Sequence, residues 1–212
     1  MDASPKRFKP FFYPIIDIEL CREHGRDPLF VADACLRGGA RWLQLRAKLS
    51  GSGEFLALAD AIVGAARQRG AAVIVNDRAD IARMAGADGV HVGQDDLAVA
   101  DARAVAGGAA IVGVSTHDER QVETALQTSA DYVAVGPVYG TATKDTGYDA
   151  RGLDLVRYAA ARGKPVVAIG GITLARTPEV IAAGAAAVAV ISDLLREDPE
   201  RRTRQFIDLL HV

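Results

Sequence analysis

Cysteine is scarce: the 212 residues hold only Cys21 and Cys35, at no spacing that suggests a disulfide framework or a metal cluster. Buried free thiols in a reducing, cytoplasmic setting are the expectation. Long apolar runs are missing too, because Gly, Arg or Asp cuts every hydrophobic stretch well short of the roughly 18 residues that span a bilayer. A soluble protein with no membrane partner follows. Lys6, Arg7 and Lys9 precede Phe11 and Phe12, but the apolar run there is short and lacks a small-residue cleavage site, so it reads as a tail. Neither sign of charge dominates, with 25 Lys and Arg against 27 Asp and Glu and a net charge of -2. A broad nucleic-acid surface is therefore not expected. No G-x-G-x-x-G follows the first apolar run and no Walker A pattern occurs, which removes the usual nucleotide signatures. The histidines, His24, His91, His117 and His211, lie too far apart for a zinc motif and read as structural.

Half of the residues are hydrophobic, ample for one buried core. Short runs rich in β-branched residues recur eight times, at 13–17, 42–45, 73–76, 89–92, 111–113, 132–135, 166–169 and 188–191. Ala-rich segments with helical spacing separate them, as in Phe55, Leu58, Ala59, Ile62, Val63 and Ala66. Fully apolar strands joined by helix-sized connections make a parallel sheet covered by helices. An open doubly wound sheet uses the same alternation, but the count of eight favours a single (β/α)8 TIM barrel, with residues 1–10 as the tail and 11–212 as the domain. Helix punctuation agrees with that division. Asp27-Pro28, Thr177-Pro178 and Asp198-Pro199 read as N-caps followed by a first-turn proline. Gly38, Gly70, Gly86, Gly107, Gly163 and Gly184 read as left-handed helix ends, and Thr116 to Glu119 as a capping box.

Catalytic groups of such a barrel project from the C-terminal ends of its strands, and here those ends are polar. After the second run, alternation puts Gln44, Arg46 and Lys48 on one face and Leu45 on the other. Asn76 ends the third run and Asp77 follows it, and Gln94, Asp95 and Asp96 come after the fourth. Two facing carboxylates, Asp77 with Asp95 or Asp96, suit Mg²⁺, a hard ion that completes its shell with water and phosphate oxygens. Either Asp95 or Asp96 could instead cap a helix. Ser115 and Thr116 follow the fifth run. A long loop with Thr141, Ala142, Thr143 and Lys144 follows the sixth and reads as a lid. Gly170-Gly171 after the seventh run and Ile191-Ser192 after the eighth occupy the places where this fold commonly binds phosphate.

The runs QLRAK at 44–48, VNDRADIARMAGADGVHVGQDDL at 75–97, GVSTH at 113–117, VGPVYGTATK at 135–144, AIGGI at 168–172 and VISDL at 190–194 are together similar to the thiamine phosphate synthase family. The resemblance spans nearly the whole chain from residue 13. It implies a transferase that joins a pyrimidinylmethyl diphosphate to a thiazole phosphate and releases diphosphate. It further implies that Gln44, Leu45, Arg46, Ala47, Lys48 and Asn76 hold the pyrimidine diphosphate and that Asp77 and Asp96 bind Mg²⁺. Ser115 and Lys144 would face the diphosphate, with Arg46 and Lys48 as the other catalytic groups. Thr141, Ala142, Thr143, Gly171, Ile191 and Ser192 would hold the thiazole phosphate. Three positions depart from the family pattern: Ala47 where glutamate is usual, Gly140 where proline is common, and Asp145 where a second lysine often stands. A related thiazole tautomerase is the nearest alternative, but it tends to lose the aspartate at position 77 and to carry histidine near 136–137. A catalytically silent phosphate-binding barrel is a second alternative. A homo-oligomer is compatible with all of these, the basic tail offering one subunit contact.

Overall fold

Strands buried on both faces must bring two sets of apolar side chains, one for the barrel interior and one for the helices outside. The computed structural model, which describes residues 11–141 and 147–211, sorts the chain in that way. Its first half contains β1 (Phe11–Asp17), α1 (Ile18–Glu23), α2 (Pro28–Arg37), β2 (Trp42–Arg46), α3 (Ser52–Gln68), β3 (Ala72–Asn76), α4 (Ala79–Ala85), β4 (Gly89–Val92) and α5 (Val99–Ala106). The second half contains β5 (Ile111–Thr116), α6 (Glu119–Leu126), β6 (Tyr132–Val135), α7 (Gly152–Ala160), β7 (Val166–Ile169), α8 (Thr177–Ala182), β8 (Ala187–Val190) and α9 (Pro199–Leu210). Every strand pairs in parallel with its neighbours in sequence, and β1 pairs with β8 to close the barrel. Among the described residues no helix is long and apolar enough to cross a membrane.

The two sets of side chains are visible along β1. Phe12, Ile16 and their equivalents pack outward with the helices, and Phe12 stacks on Phe206 of α9 at 4.4 Å between ring centres. Phe11, Tyr13 and Ile15 point inward. Inside, Phe11, Tyr13, Trp42 and Tyr132 form an aromatic cluster, with centroids 5.3 to 6.4 Å apart, that fills the barrel below its C-terminal mouth. Gly113 makes room for it: a Cβ there would lie 2.0 Å from the Tyr132 ring. The polar groups of Tyr13 and Tyr132 thereby become the floor of the cavity above.

Several local expectations hold and several shift. Asp27 and Asp198 cap α2 and α9, each accepting backbone N–H groups with proline at the next position. Thr177 is not a cap. A 3₁₀ turn at Leu174–Arg176 runs straight into α8, so Thr177 is already helical and its hydroxyl donates to the Thr173 carbonyl. Thr116 is likewise no cap, because β5 extends to it and its hydroxyl donates to Ala134. The capping pair lies two residues on, where the Asp118 carboxylate accepts the Gln121 N–H and the Gln121 side chain accepts the His117 N–H. Gly38 ends α2 at φ -66°, and the left-handed residue is Gly39. Strand β8 stops at Val190, which leaves Ile191 and Ser192 in the turn that follows. Neither Asp95 nor Asp96 caps α5, whose N-cap is Ala98 without a side-chain bond.

Candidate active site

The strand ends surround one cavity, lined among others by Gln44, Arg46, Asn76, Ser115, Thr141, Gly171, Ile191 and Ser192. It encloses room for about 70 Å³ of solvent, and about 850 Å³ of empty space when the open mouth is counted. Eight of the residues expected from sequence thus converge on one place. Leu45 and Ala47 do not turn inward: Leu45 is fully buried in the outer core and Ala47 packs against it, so only their backbone can meet a ligand. Lys48 lies at the rim, paired with Asp77. Ala142, Thr143, Lys144 and Asp145 lie outside the described residues.

Two cations stand on the β2 side. Arg46 forms an ion pair with Asp17, and both side chains are largely buried at 13% and 4% exposure. Asp17 does two jobs there, because its other oxygen caps α1 through Leu20 N–H at 2.9 Å. Among the described residues the Arg46 Nε is buried and without a partner. An unmade bond on a buried guanidinium is costly, so the position suits an anion that completes it. The Lys48 Nζ is 2.5 Å from Asp77 Oδ2. Glu19 holds the loop beneath it, accepting from the backbone N–H groups of Lys48 at 3.2 Å and Leu49 at 2.9 Å. Although partial burial raises the Glu19 carboxyl, those two backbone bonds and the Arg46 charge bring it below the ordinary value.

The β3 end is strained. Asp77 has φ 61°, a left-handed conformation uncommon for any residue but glycine, and Arg78 N–H bonds back to Asn76 across it at 2.7 Å. That turn aims the carboxylate at Asp96, whose Oδ2 also accepts the Gly93 N–H at 2.7 Å. Burial, and then the hydrogen bond to Asp96, push the Asp77 carboxyl above its ordinary value. Lys48 pulls the other way without reversing the shift. Two carboxylates forced together in this way fit a divalent hard cation. Among the described residues no group of three or more His, Cys, Asp or Glu could hold a metal, so any ion would need oxygens from water and substrate.

Across the mouth, Gly171 has φ 60°, and a Cβ on it would meet the Gly140 carbonyl at 2.7 Å and Tyr139 Cβ at 2.9 Å. Glycine is needed because the chain after β6 lies directly on the turn after β7. Arg176 braces the contact: its guanidinium sits 4.3 Å over the Tyr139 ring and donates to the Gly171 carbonyl at 2.7 Å. Tyr139 donates in turn to Glu179 at 2.5 Å. Beyond β8, buried Asp193 accepts Leu174 N–H at 3.3 Å and faces Arg202 at 3.3 Å, tying the last two turns together.

Sequence reasoning missed His91 and His117, which both line the cavity. His91 lies between Tyr132 and Ser115. His117 donates through Nδ1 to the Gly136 carbonyl at 2.6 Å and stacks on Tyr148 at 4.4 Å, so a histidine does stand beside the Gly136-Pro137 turn. The period-two pattern inside β4 places His91 inward, and that was the signal available.

The model of the family described as thiamine monophosphate synthase matches residues 12–194. The chain belongs to that family. Within it, the thiamine-phosphate synthase of Mycobacterium sp. strain JLS is 45% identical over 201 residues, covering 89% of this chain and 88% of its own. The Mycolicibacterium smegmatis thiamine-phosphate synthase is 47% identical over 188 residues, covering 84% and 82%. A solved thiamine phosphate pyrophosphorylase from Pyrococcus furiosus is 28% identical and superposes with a TM-score of 0.87 over 97% of both chains.

Proposed function

We propose that this chain is a Mg²⁺-dependent thiamine phosphate synthase, a transferase that couples a 4-amino-2-methylpyrimidinylmethyl diphosphate to a thiazole phosphate. What supports the reading is that cations and paired carboxylates gather on one side of the mouth and glycine-bearing turns on the other. On one side stand Arg46 with its unpartnered Nε, Lys48, and the Asp77–Asp96 pair. On the other side stand Gly171, Ile191 and Ser192, on turns braced by Arg176 and Asp193. A coupling enzyme needs both halves, whereas an isomerase of one phosphate ester needs only the second.

The chemistry asks little of a protein nucleophile. An electron-rich aminopyrimidine can expel diphosphate and leave a stabilised cation, so the site must mainly receive negative charge growing on the leaving group. Arg46 is held by Asp17 and Lys48 is carried on the Glu19-anchored loop, so both are oriented before the reaction starts. Bound between Asp77 and Asp96, Mg²⁺ would supply further neutralisation of that leaving group. Gln44 and Asn76, which line the cavity above the aromatic floor, would hold the pyrimidine, and Ser115 would meet the diphosphate. The thiazole phosphate, anchored by the turns after β7 and β8, presents its ring nitrogen to the cation at high effective concentration. Residues 141–144, the last three outside the described residues, would help to keep water away. The two buried thiols, Cys21 and Cys35, both pushed up to about 12 by burial, are unreactive and support a cytoplasmic setting.

The test is direct. Purified protein given both substrates and Mg²⁺ is expected to form thiamine phosphate, and no product at saturating substrate would overturn the reading.

A further inference from the structure

We infer that Tyr13, Tyr132 and His91 form a one-way hydrogen-bond relay that fixes His91 as its Nε2–H tautomer and frees the Ser115 hydroxyl hydrogen for the substrate. The functional part of this inference rests on the coupling reading above, which places Ser115 beside the diphosphate. The relay itself rests on hydrogen-bond bookkeeping inside the barrel.

Four contacts run in series across the floor of the cavity. Gln44 Nε2 is 3.2 Å from the Tyr13 hydroxyl, and that hydroxyl is 3.2 Å from the Tyr132 hydroxyl. The Tyr132 hydroxyl is 3.0 Å from His91 Nδ1, and His91 Nε2 is 2.9 Å from Ser115 Oγ. All five residues are buried. The amide nitrogen of Gln44 can only donate, so the Tyr13 oxygen accepts there. Among the described residues, the Tyr13 hydrogen then has one hydrogen-bond acceptor, the Tyr132 oxygen. If Tyr132 donated to Tyr13 instead, the Tyr13 hydrogen would be buried without a partner, which costs more than a normal hydrogen bond contributes net.

The remaining directions follow. Tyr132, accepting from Tyr13, gives its only hydrogen to His91 Nδ1, which must therefore be bare. A neutral imidazole with a bare Nδ1 carries its proton on Nε2 and donates to Ser115 Oγ. Burial raises both phenols, so they remain protonated and able to donate. The His91 ring lies nearly parallel to the Tyr132 ring, 5.6 Å between centres, which limits its rotation. Gln94 fixes the other side of Ser115, donating to its carbonyl at 2.6 Å.

Ser115 Oγ accepts from His91 and cannot donate back to it. Its hydrogen is turned to the mouth, where negative charge grows on the departing diphosphate, so the donor is oriented before the bond breaks. Tyr13, Tyr132 and His91 are positioning residues in this scheme, acting on substrate only through Ser115.

The experiment has two readouts. In ¹⁵N-imidazole spectra of the full-length protein, with the His91 signals assigned by their loss in His91→Gln, Nε2 is expected to carry the proton and Nδ1 to be an unprotonated acceptor at neutral pH. An Nδ1–H tautomer or an imidazolium would overturn the relay. The spectrum needs no substrate, so it decides the relay whether or not the coupling assay succeeds. For the functional part, Tyr132→Phe is expected to lower kcat about tenfold, the size of one lost transition-state hydrogen bond, with KM for both substrates unchanged. In a Ser115→Ala background the same substitution should cost almost nothing. Equal losses in both backgrounds would show that Tyr132 acts by another route.

Discussion

Gly171→Ala is the sharpest single perturbation of the proposed thiazole phosphate half-site, because its cost can be worked out from two observations. The residue sits at φ 60°, where an L side chain carries a penalty of roughly 1–2 kcal/mol. The added methyl would also lie 2.7 Å from the Gly140 carbonyl and 2.9 Å from Tyr139 Cβ, closer than real Cβ contacts come. Relieving that overlap moves backbone, an overpacking cost of about 1–3 kcal/mol. The sum, roughly 2–5 kcal/mol, implies a Tm drop on the order of 10 °C for a chain of this length. The turn would shift away from any phosphate bound on it, so KM for thiazole phosphate should rise at least about tenfold while binding of the pyrimidine diphosphate changes little. Gly140→Ala is the internal control: its Cβ would meet nothing within 4 Å and its φ is not in the left-handed range, so stability and KM should stay near those of the unaltered protein. Thermal melts and steady-state kinetics on the two variants check the argument. A Gly171→Ala protein with unchanged Tm and unchanged KM for thiazole phosphate would refute it.

Other expectations bear on the opposite half of the mouth. Asp77 is raised in the folded protein by burial and by Asp96, so it contributes most to stability below the unfolded carboxyl value and loses that contribution as pH climbs through the folded one. In metal-free protein, Asp77→Asn should therefore raise Tm at pH 7, the gap closing below about pH 4, and with Mg²⁺ supplied the same variant should show no turnover. A lower Tm at every pH would show that the Lys48 pair outweighs the repulsion. Glu19→Ala removes the acceptor for the Lys48 and Leu49 N–H groups, and should raise KM for the pyrimidine diphosphate several-fold without changing that for thiazole phosphate. Equal effects on the two substrates would place Glu19 in general folding.

The barrel was legible because strand and helix periodicities alternate without interruption, and eight parallel strands joined by helical crossovers leave little but closure. Arg46, Asp77, Ser115 and Gly171 were legible because residues at or just past the C-terminal end of a parallel barrel strand stand around the mouth. What escaped depends on distance in sequence. Asp17 looked like the last residue of a strand, yet it holds Arg46, 29 positions on. Glu19, in the first turn of α1, anchors the loop after β2, again 29 positions on. His91 read as structural because one inward histidine in a strand is ordinary, and only the barrel brings Tyr132 and Ser115 to its two nitrogens. Local punctuation failed where a 3₁₀ turn or a longer strand absorbed the expected cap, at Thr177 and Thr116.

The central claim is that one barrel mouth holds two separate anion sites, only one of which depends on metal. Calorimetric titration of each substrate alone, with Mg²⁺ and with chelator, measures this most directly. Thiazole phosphate is expected to bind equally well under both conditions, and the pyrimidine diphosphate to bind only with Mg²⁺. The two substrates competing for a single site, or both losing affinity together on chelation, would contradict the account.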